Sequence, residues 1–172
     1  MSLNLNYKPE AVVDISRLSR EEWLDYRKKG IGGSDVAAIM GVSPFATKRD
    51  LFYDKTGIRP AFQENEDNWV AKEVGHRLEG LVAEIFTKKT GLKIFPVRTM
   101  FRHPLYPFML ADVDFFIEFA DGTYGILECK TTNYNCQEKW ANNTIPVNYE
   151  YQVRHYMSVM NIDKAYIACL YG

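Results

Sequence analysis

Four side chains with hydrolytic potential fall in two short stretches: Asp112 and Asp114 in Ala111-Asp112-Val113-Asp114, and Glu128 and Lys130 in Leu127-Glu128-Cys129-Lys130. Side chains alternate faces along a strand, so Glu128 and Lys130 point one way and Cys129 the other. Whether the aspartates join them depends on the turn between the two stretches. A two-residue Asp121-Gly122 loop would set Asp114 opposite Cys129 and scatter the carboxylates. A three-residue loop, Ala120-Asp121-Gly122, lets Gly122 take the left-handed position that forms a bulge, and it sets Asp114 opposite Glu128. The three-residue loop is the expectation here. It puts Asp112, Asp114, Glu128 and Lys130 on one face, where like charges repel unless a cation sits among them.

A solvated sheet face with ordinary ion pairs is the plain alternative. Such a face should be polar throughout, yet Leu110, Phe116 and Ile126 fall on this one. Carboxylates in a partly apolar setting favour hard divalent ions, and Mg²⁺ in particular takes one or two carboxylates, waters and substrate phosphate oxygens. A lysine beside such a site positions or deprotonates an attacking water, or stabilises developing phosphate charge. The chemistry implied is metal-assisted hydrolysis of a phosphodiester.

Three further features bear on this chemistry. Glu79 lies at the edge of a helical apolar stripe, where it is either a third carboxylate for the site or a boundary residue pairing with Arg77. Arg27-Lys28-Lys29-Gly30-Ile31-Gly32-Gly33-Ser34-Asp35 sets three cations and accessible amides before a helix start, an arrangement that binds phosphate. Ser34 there either adds a hydroxyl to an anion site or is a plain N-cap, and Asp35 weakens the anion reading. His76, His103 and His155 are not spaced as ligands of one metal, and Cys129 reads as a small core residue.

The elements that must position these groups are readable from capping and periodicity. Ser19-Arg20-Glu21-Glu22 is a capping box with Leu18 and Trp23 as its hydrophobic staple, opening a helix that stops at Gly30. A second helix runs from Ser34 to Gly41 and a third from Thr47 to Gly57, so residues 1–60 are expected to be helical. Residues 59–68 are polar and aperiodic and read as a loop. Leu78, Leu81, Val82, Ile85 and Phe86 keep helical spacing over 69–90, with Gly91 as the stop. Strands follow at about 93–102, 109–119 and 123–131 as an antiparallel meander. A polar connection at 133–146 holds a short helix near Gln137–Ala141; a helix over 148–160 and a strand over 164–171 complete the order. The expected class is α/β (α+β): a central mixed β-sheet flanked by helices, a helical N-terminal part, and an αβββαβ core over 69–172, in one domain of 172 residues.

Composition narrows the rest. The chain is 47% hydrophobic, 14% aromatic and 25% charged, which supplies a core and excludes intrinsic disorder. No apolar run approaches the roughly 20 residues that cross a bilayer, and no secretory signal opens the chain. Three cysteines, without CxxC or Cys/His spacing, suit reduced thiols in a cytosol. The net charge of −1 gives no whole-molecule attraction to nucleic acid, so any such binding needs a local patch.

Taken in order, the motifs resemble the PD-(D/E)XK nuclease superfamily, and within it the YqaJ-like viral recombinase family. The resemblance spans nearly the whole chain: Trp23-x3-Arg27, Ile31-Gly32-Gly33-Ser34-Asp35, Gly41-Val42-Ser43-Pro44-Phe45, Gly75-x3-Glu79, Ala111-x2-Asp114, Glu128-Cys129-Lys130, and Tyr151-Gln152-Val153-x-His155-Tyr156-Met157. It implies a restriction-endonuclease-like core and a phage-type 5′ to 3′ exonuclease of DNA recombination that acts on double-stranded ends with two Mg²⁺ or Mn²⁺ ions. On the matching positions it implies that Asp114 and Glu128 hold metal, that the Cys129 carbonyl completes a metal shell, that Lys130 serves the attacking water, and that Glu79 and Gln152 lie at the same centre. Arg27 and Ser34 match positions that grip a terminal 5′ phosphate. The resemblance also implies a ring-shaped homotrimer around duplex DNA, a single-strand annealing protein as partner, no membrane, and a cytoplasmic place in a bacterial host of phage or prophage.

Two departures follow. Val113 stands where the superfamily has proline, and Asp112 is a competing carboxylate, so the principal ligand is one of Asp112 and Asp114. Family members usually continue past the strand of 164–171 with another strand and a helix, so the sequence is expected to be part of a longer chain. An endonuclease or junction resolvase on the same scaffold, or a DNA-binding module without turnover, are the competing readings.

Overall fold

The computed structural model describes residues 6–58 and 66–172. Two sheets organise it. One has strand order β1-β3-β4, from β1 (Glu10–Asp14), β3 (Thr99–Arg102) and β4 (Leu110–Ala111); the other has order β2-β5-β6-β7, from β2 (Lys93–Phe95), β5 (Phe115–Glu118), β6 (Tyr124–Thr132) and β7 (Ala165–Tyr171). In the second sheet β2, β5 and β6 are antiparallel and β7 runs parallel to β6, which makes it a mixed sheet. The expected α/β class is borne out.

The turn before β6 decides where the acidic side chains go. Residues Phe115, Phe116, Ile117 and Glu118 pair with Leu127, Ile126, Gly125 and Tyr124, and the Phe119 amide donates to Thr123 O at 3.0 Å. Gly122 has φ of 78°, the left-handed region where a side chain would be strained. This is the three-residue loop of the sequence analysis, and Asp114 sits one step beyond the pair that faces Leu127.

Helices cover both faces of this sheet. On one side α4 (Glu66–Thr90) packs Val82, Ala83 and Phe86 on Ile117, Leu127 and Cys129. On the other, α5 (Val147–Met160) packs Tyr156, Val159 and Met160 on Phe116, Ile126, Ala111 and Val113. α5 also carries the chain from β6 to β7, as a parallel pair requires.

The N-terminal helices are α1 (Arg20–Lys28), α2 (Gly33–Ile39) and α3 (Lys48–Thr56). The Ser19–Glu22 capping box forms, Thr47 caps α3, and Gly57 ends it at φ of 64°.

Several expectations are corrected. The N-terminal part is not wholly helical: β1 joins a sheet with β3, and Ile15–Arg17 forms a 3-10 turn. Ser34 is not the N-cap of α2; Gly32 is, with its amide donating to the Asp35 carboxylate. Residues 66–68 belong to α4, while the expected loop over 59–65 lies outside the described residues. The strand expected over 93–102 is two strands in different sheets, separated by Pro96, which cannot donate to a ladder. The strand over 109–119 also divides, into β4 and β5, at Asp112–Asp114. Leu81, assigned to the buried stripe of α4, is exposed, and Ala83 is buried instead. The polar connection holds a 3-10 segment, Tyr134–Asn143, longer than the short helix expected.

Candidate active site

Glu128 sits in the middle of the buried run of β6 and is 2% exposed. Its Oε1 accepts from Lys130 Nζ and from Gln152 Nε2, both at 2.6 Å. Its Oε2 is buried and accepts no hydrogen bond. A buried carboxylate oxygen without a partner costs desolvation energy that an ordinary fold does not leave uncompensated. Burial pushes the Glu128 carboxyl above the usual carboxylate range; Lys130 pulls it back, and the charge of Glu79 adds to the rise.

Asp114 lies where the three-residue turn puts it. Its Oδ2 accepts the Cys129 amide at 2.8 Å, so it is fixed to the strand rung beside Glu128. Burial raises its carboxyl well above the ordinary value, and the charges of Glu128 and Glu79 push in the same direction. A buried carboxylate and a half-buried neighbour, both held above the ordinary carboxylate range, are the electrostatic signature of a site that wants a cation.

Lys130 has a side chain 19% exposed. Burial works against its charge, but Glu128 outweighs that and the ammonium is held above its usual range. It is therefore cationic at neutral pH, placed to orient a water or meet phosphate charge rather than to take a proton. Its Nζ also lies 4.9 Å from the centre of the Tyr149 ring.

Gln152 reaches Glu128 because β6 and α5 pack face to face. Its Nε2 also lies 3.2 Å from the Tyr156 hydroxyl, and residues four apart share a helix face. α2 passes close above this pair: a Cβ on Gly33 would stand 2.5 Å from Tyr156 Cε1 and 3.0 Å from Gln152 Cγ. Only glycine fits there.

The remaining candidates divide. Glu79 stays at the margin of the cluster, with a side chain 29% exposed and Oε1 3.4 Å from His76 Nδ1; its expected alternative partner, Arg77, is bound to Glu73. Among the described residues no three His, Cys, Asp or Glu side chains gather tightly enough to enclose an ion by themselves. Glu79 lies on the half-exposed edge of its helix, and its charge reaches both Asp114 and Glu128. Asp112 does not share the face of Glu128 and Lys130 through a strand: it follows the end of β4, and its Oδ2 accepts Trp23 Nε1 at 2.8 Å. That contact holds one oxygen of Asp112, while register places Asp114 at the Glu128 rung. The Cys129 thiol points into the α4 side, where burial raises its value.

Asp114 and Glu128 could hold a hard divalent ion, with the unpartnered Oε2 as a ready ligand and water and phosphate oxygens completing the shell. This donor set suits Mg²⁺, which binds through one or two carboxylates and keeps several waters.

Arg27 and Ser34 meet at a second position. Arg27 Nη2 donates to Ser34 Oγ at 2.7 Å and lies 3.3 Å from Asp35 Oδ1, with its guanidinium stacked 4.9 Å from the Trp23 ring centre. Asp35 in turn binds Lys55 Nζ at 2.7 Å. A cleft of 320 Å³ opens here, lined by Arg27, Lys28, Ser34, Lys55 and Lys72 among others. The sequence analysis missed Lys55, which neutralises the aspartate that weakened the phosphate reading. No periodicity signalled it, since it comes from a separate helix. The Trp23–Arg27 contact had a signal, the i, i+4 spacing on α1.

Comparison with known proteins gives the family and the fold. Residues 22–163 match the YqaJ-like viral recombinase domain. Protein YqaJ of Bacillus subtilis (strain 168) is 41% identical over 168 residues, covering 96% of this chain and 50% of that protein, so the chain spans about half the length of this relative. Among solved structures, the alkaline exonuclease LHK-Exo of Laribacter hongkongensis superposes with a TM-score of 0.68 at 20% identity, covering 88% of this chain and 74% of that one. The same enzyme in complex with dAMP gives a TM-score of 0.67, covering 87% and 73%. The alkaline exonuclease likeness is one of fold, and no described helix is long and apolar enough to cross a membrane. With most of its length matched and a close relative sharing two residues in five, the chain belongs to the YqaJ-like viral recombinase domain family.

Proposed function

We propose that this chain is the catalytic part of a metal-dependent deoxyribonuclease that degrades double-stranded DNA from 5′ ends in phage-type recombination. The observation that carries the reading is the buried, unpartnered Oε2 of Glu128 beside Asp114, with an ammonium on the other carboxylate oxygen. The family membership and the fold shared with an alkaline exonuclease support it.

Asp114, Glu128 and Glu79 would hold the metal, Mg²⁺ or Mn²⁺, in this reading, with the Cys129 carbonyl as a further ligand. Bound there, the ion supplies Lewis-acid polarisation of the phosphate and an activated water. Lys130 orients the attacking water and offsets charge on the phosphate oxygens. Gln152 holds one oxygen of the Glu128 carboxylate, which would leave the second free to hold the ion. Arg27 and Ser34 bind the terminal 5′ phosphate, with Asp35 fixing the guanidinium and Lys55 neutralising Asp35; that contact selects an end and sets polarity. Two ions, a trimeric ring and a single-strand annealing partner in the bacterial cytoplasm belong to the same reading.

The test is cleavage of a linear duplex with and without a 5′ phosphate, and of a closed circle, under Mg²⁺ or Mn²⁺. Mononucleotide release from the phosphorylated linear duplex, none from the circle, and loss of cleavage in Lys130→Ala are expected. Cutting of circles would make the chain an endonuclease. Equal inactivity of wild type and Lys130→Ala would reduce it to a binding module.

A further inference from the structure

Lys130 has four rotatable side-chain bonds, and an ammonium that must meet a water or phosphate at one place needs more than a single ion pair to hold it. The structure supplies a second support. α5 and β6 are packed so that ascending strand positions meet descending helix positions: Ile126 packs with Tyr156 and Val159, Glu128 bonds Gln152, and Lys130 lies over Tyr149. Tyr149 and Gln152 are three residues apart and share a helix face, so one face of α5 serves both catalytic positions.

Tyr149 is itself backed. Trp140, from the 3-10 segment, stacks on it with ring centres 5.5 Å apart and planes at 25°. That segment leaves the end of β6 and returns to α5 through Asn142 and Asn143, both with positive φ, a chain reversal that turns its last residues back toward the helix. Thr144 secures the reversal by donating through Oγ1 to Ala141 O at 2.7 Å. The result is a column of ammonium, phenol and indole, in which the ring face attracts the cation and the second ring fixes the first.

We propose that Tyr149, backed by Trp140, is a positioning residue that holds the Lys130 ammonium in place beside Glu128. This rests on the nuclease reading for its catalytic consequence and on the packing for the placement itself. Tyr149 acts through the lysine, so its removal should act on turnover and leave substrate binding alone.

Two readouts test it on the full chain. In the first, steady-state cleavage of a 5′-phosphorylated duplex with Mg²⁺ compares wild type with Tyr149→Leu, Tyr149→Phe and Trp140→Leu. The expected result is a kcat lowered roughly tenfold in Tyr149→Leu, in the range of one desolvated cation–π contact. Trp140→Leu should show a smaller loss, Tyr149→Phe near wild-type turnover, and KM should not change in any of them. In the second, the protein carries ¹³C-labelled lysine and the Lys130 ε-methylene signal is assigned by its loss in Lys130→Arg. It should be shifted upfield by the ring in wild type and in Tyr149→Phe, and should return toward the free-lysine position in Tyr149→Leu. An unshifted Lys130 signal in wild type, or a folded Tyr149→Leu with wild-type kcat, overturns the proposal. If wild type cleaves nothing while the signal is shifted and moves as stated, the nuclease reading fails and the placement of the ammonium stands.

Discussion

The two faces of strand β6 are built from alternate residues of one nine-residue segment and do opposite things. Leu127 and Cys129 look toward α4 and join an apolar cluster with Val82, Ala83, Phe86 and Ile117. Glu128 and Lys130 look toward α5 and meet Gln152 and Tyr149, with apolar Ile126 and Val159 just below them. One face recovers free energy from apolar burial. The other hides a carboxylate with an unpartnered oxygen and a neighbouring aspartate that shares its charge. The first face holds the strand rigid, and the second uses that rigidity to keep like charges where solution would separate them. Local departures from good folding practice of this kind collect at functional sites.

The largest expected effect lies on the polar face. In the proposed reading Glu128→Gln keeps the shape and removes the charge that would hold the ion, so nuclease turnover should fall by about 10³ or more, while circular dichroism still reports a folded chain. A Glu128→Gln enzyme of normal turnover would show that the polar face is not catalytic. Next comes the apolar face. Leu127→Ala opens a cavity at a fully buried position and should cost about 3 kcal/mol in urea denaturation, with turnover per folded molecule preserved at low temperature. A turnover loss as deep as that of Glu128→Gln would erase the division between the faces.

Two smaller effects sharpen it. Trp23→Phe removes the indole donor that satisfies Asp112 and leaves a largely buried acceptor unpaired, for a loss of about 1–2 kcal/mol in thermal or chemical unfolding. If Asp112 were instead a metal ligand, Trp23→Phe would alter Mn²⁺ affinity more than stability. The smallest effect is a pH dependence. His155 is buried on the α5 side, with Nε2 2.9 Å from Leu110 O, and burial holds its imidazole below the ordinary value. As pH falls below about 6.5, the unfolded chain takes up a proton that the folded one refuses. Stability should drop from there down to the depressed native value, by at most about 1.4 kcal/mol per pH unit. The raised carboxylates of Asp114 and Glu128 act with the opposite sign, favouring the folded state at low pH. Subtracting the curve of His155→Gln isolates the histidine, and identical slopes in the two proteins would remove it.

How much of this could be read from residues alone varies with the distance over which the cause acts. The β5–β6 register was readable because one glycine at one turn position controls it, and the faces of Glu128, Cys129 and Lys130 followed from strand alternation. Helix ends were readable where Ser19, Thr47 and Gly57 act on their own neighbours. The division of two expected strands between two sheets was not readable from apolar runs: Pro96 marked one break, but pairing with β1 is a contact between residues nearly ninety apart. Helical spacing put Glu79 on the edge of the apolar stripe of α4, where its charge reaches Asp114 and Glu128, but spacing gives a face and not the reach of a side chain. Lys55 and Trp140 come from elements with no motif of their own, and their roles exist only once α3 meets α2 and the 3-10 segment meets α5.

The central claim is that the Glu128 carboxylate, together with Asp114, is a divalent-ion site. Titration calorimetry of Mn²⁺ into the wild-type chain and into Glu128→Gln tests it without any substrate. Saturable binding in wild type that disappears in a folded Glu128→Gln is the predicted result. Superimposable isotherms from the two proteins would contradict it.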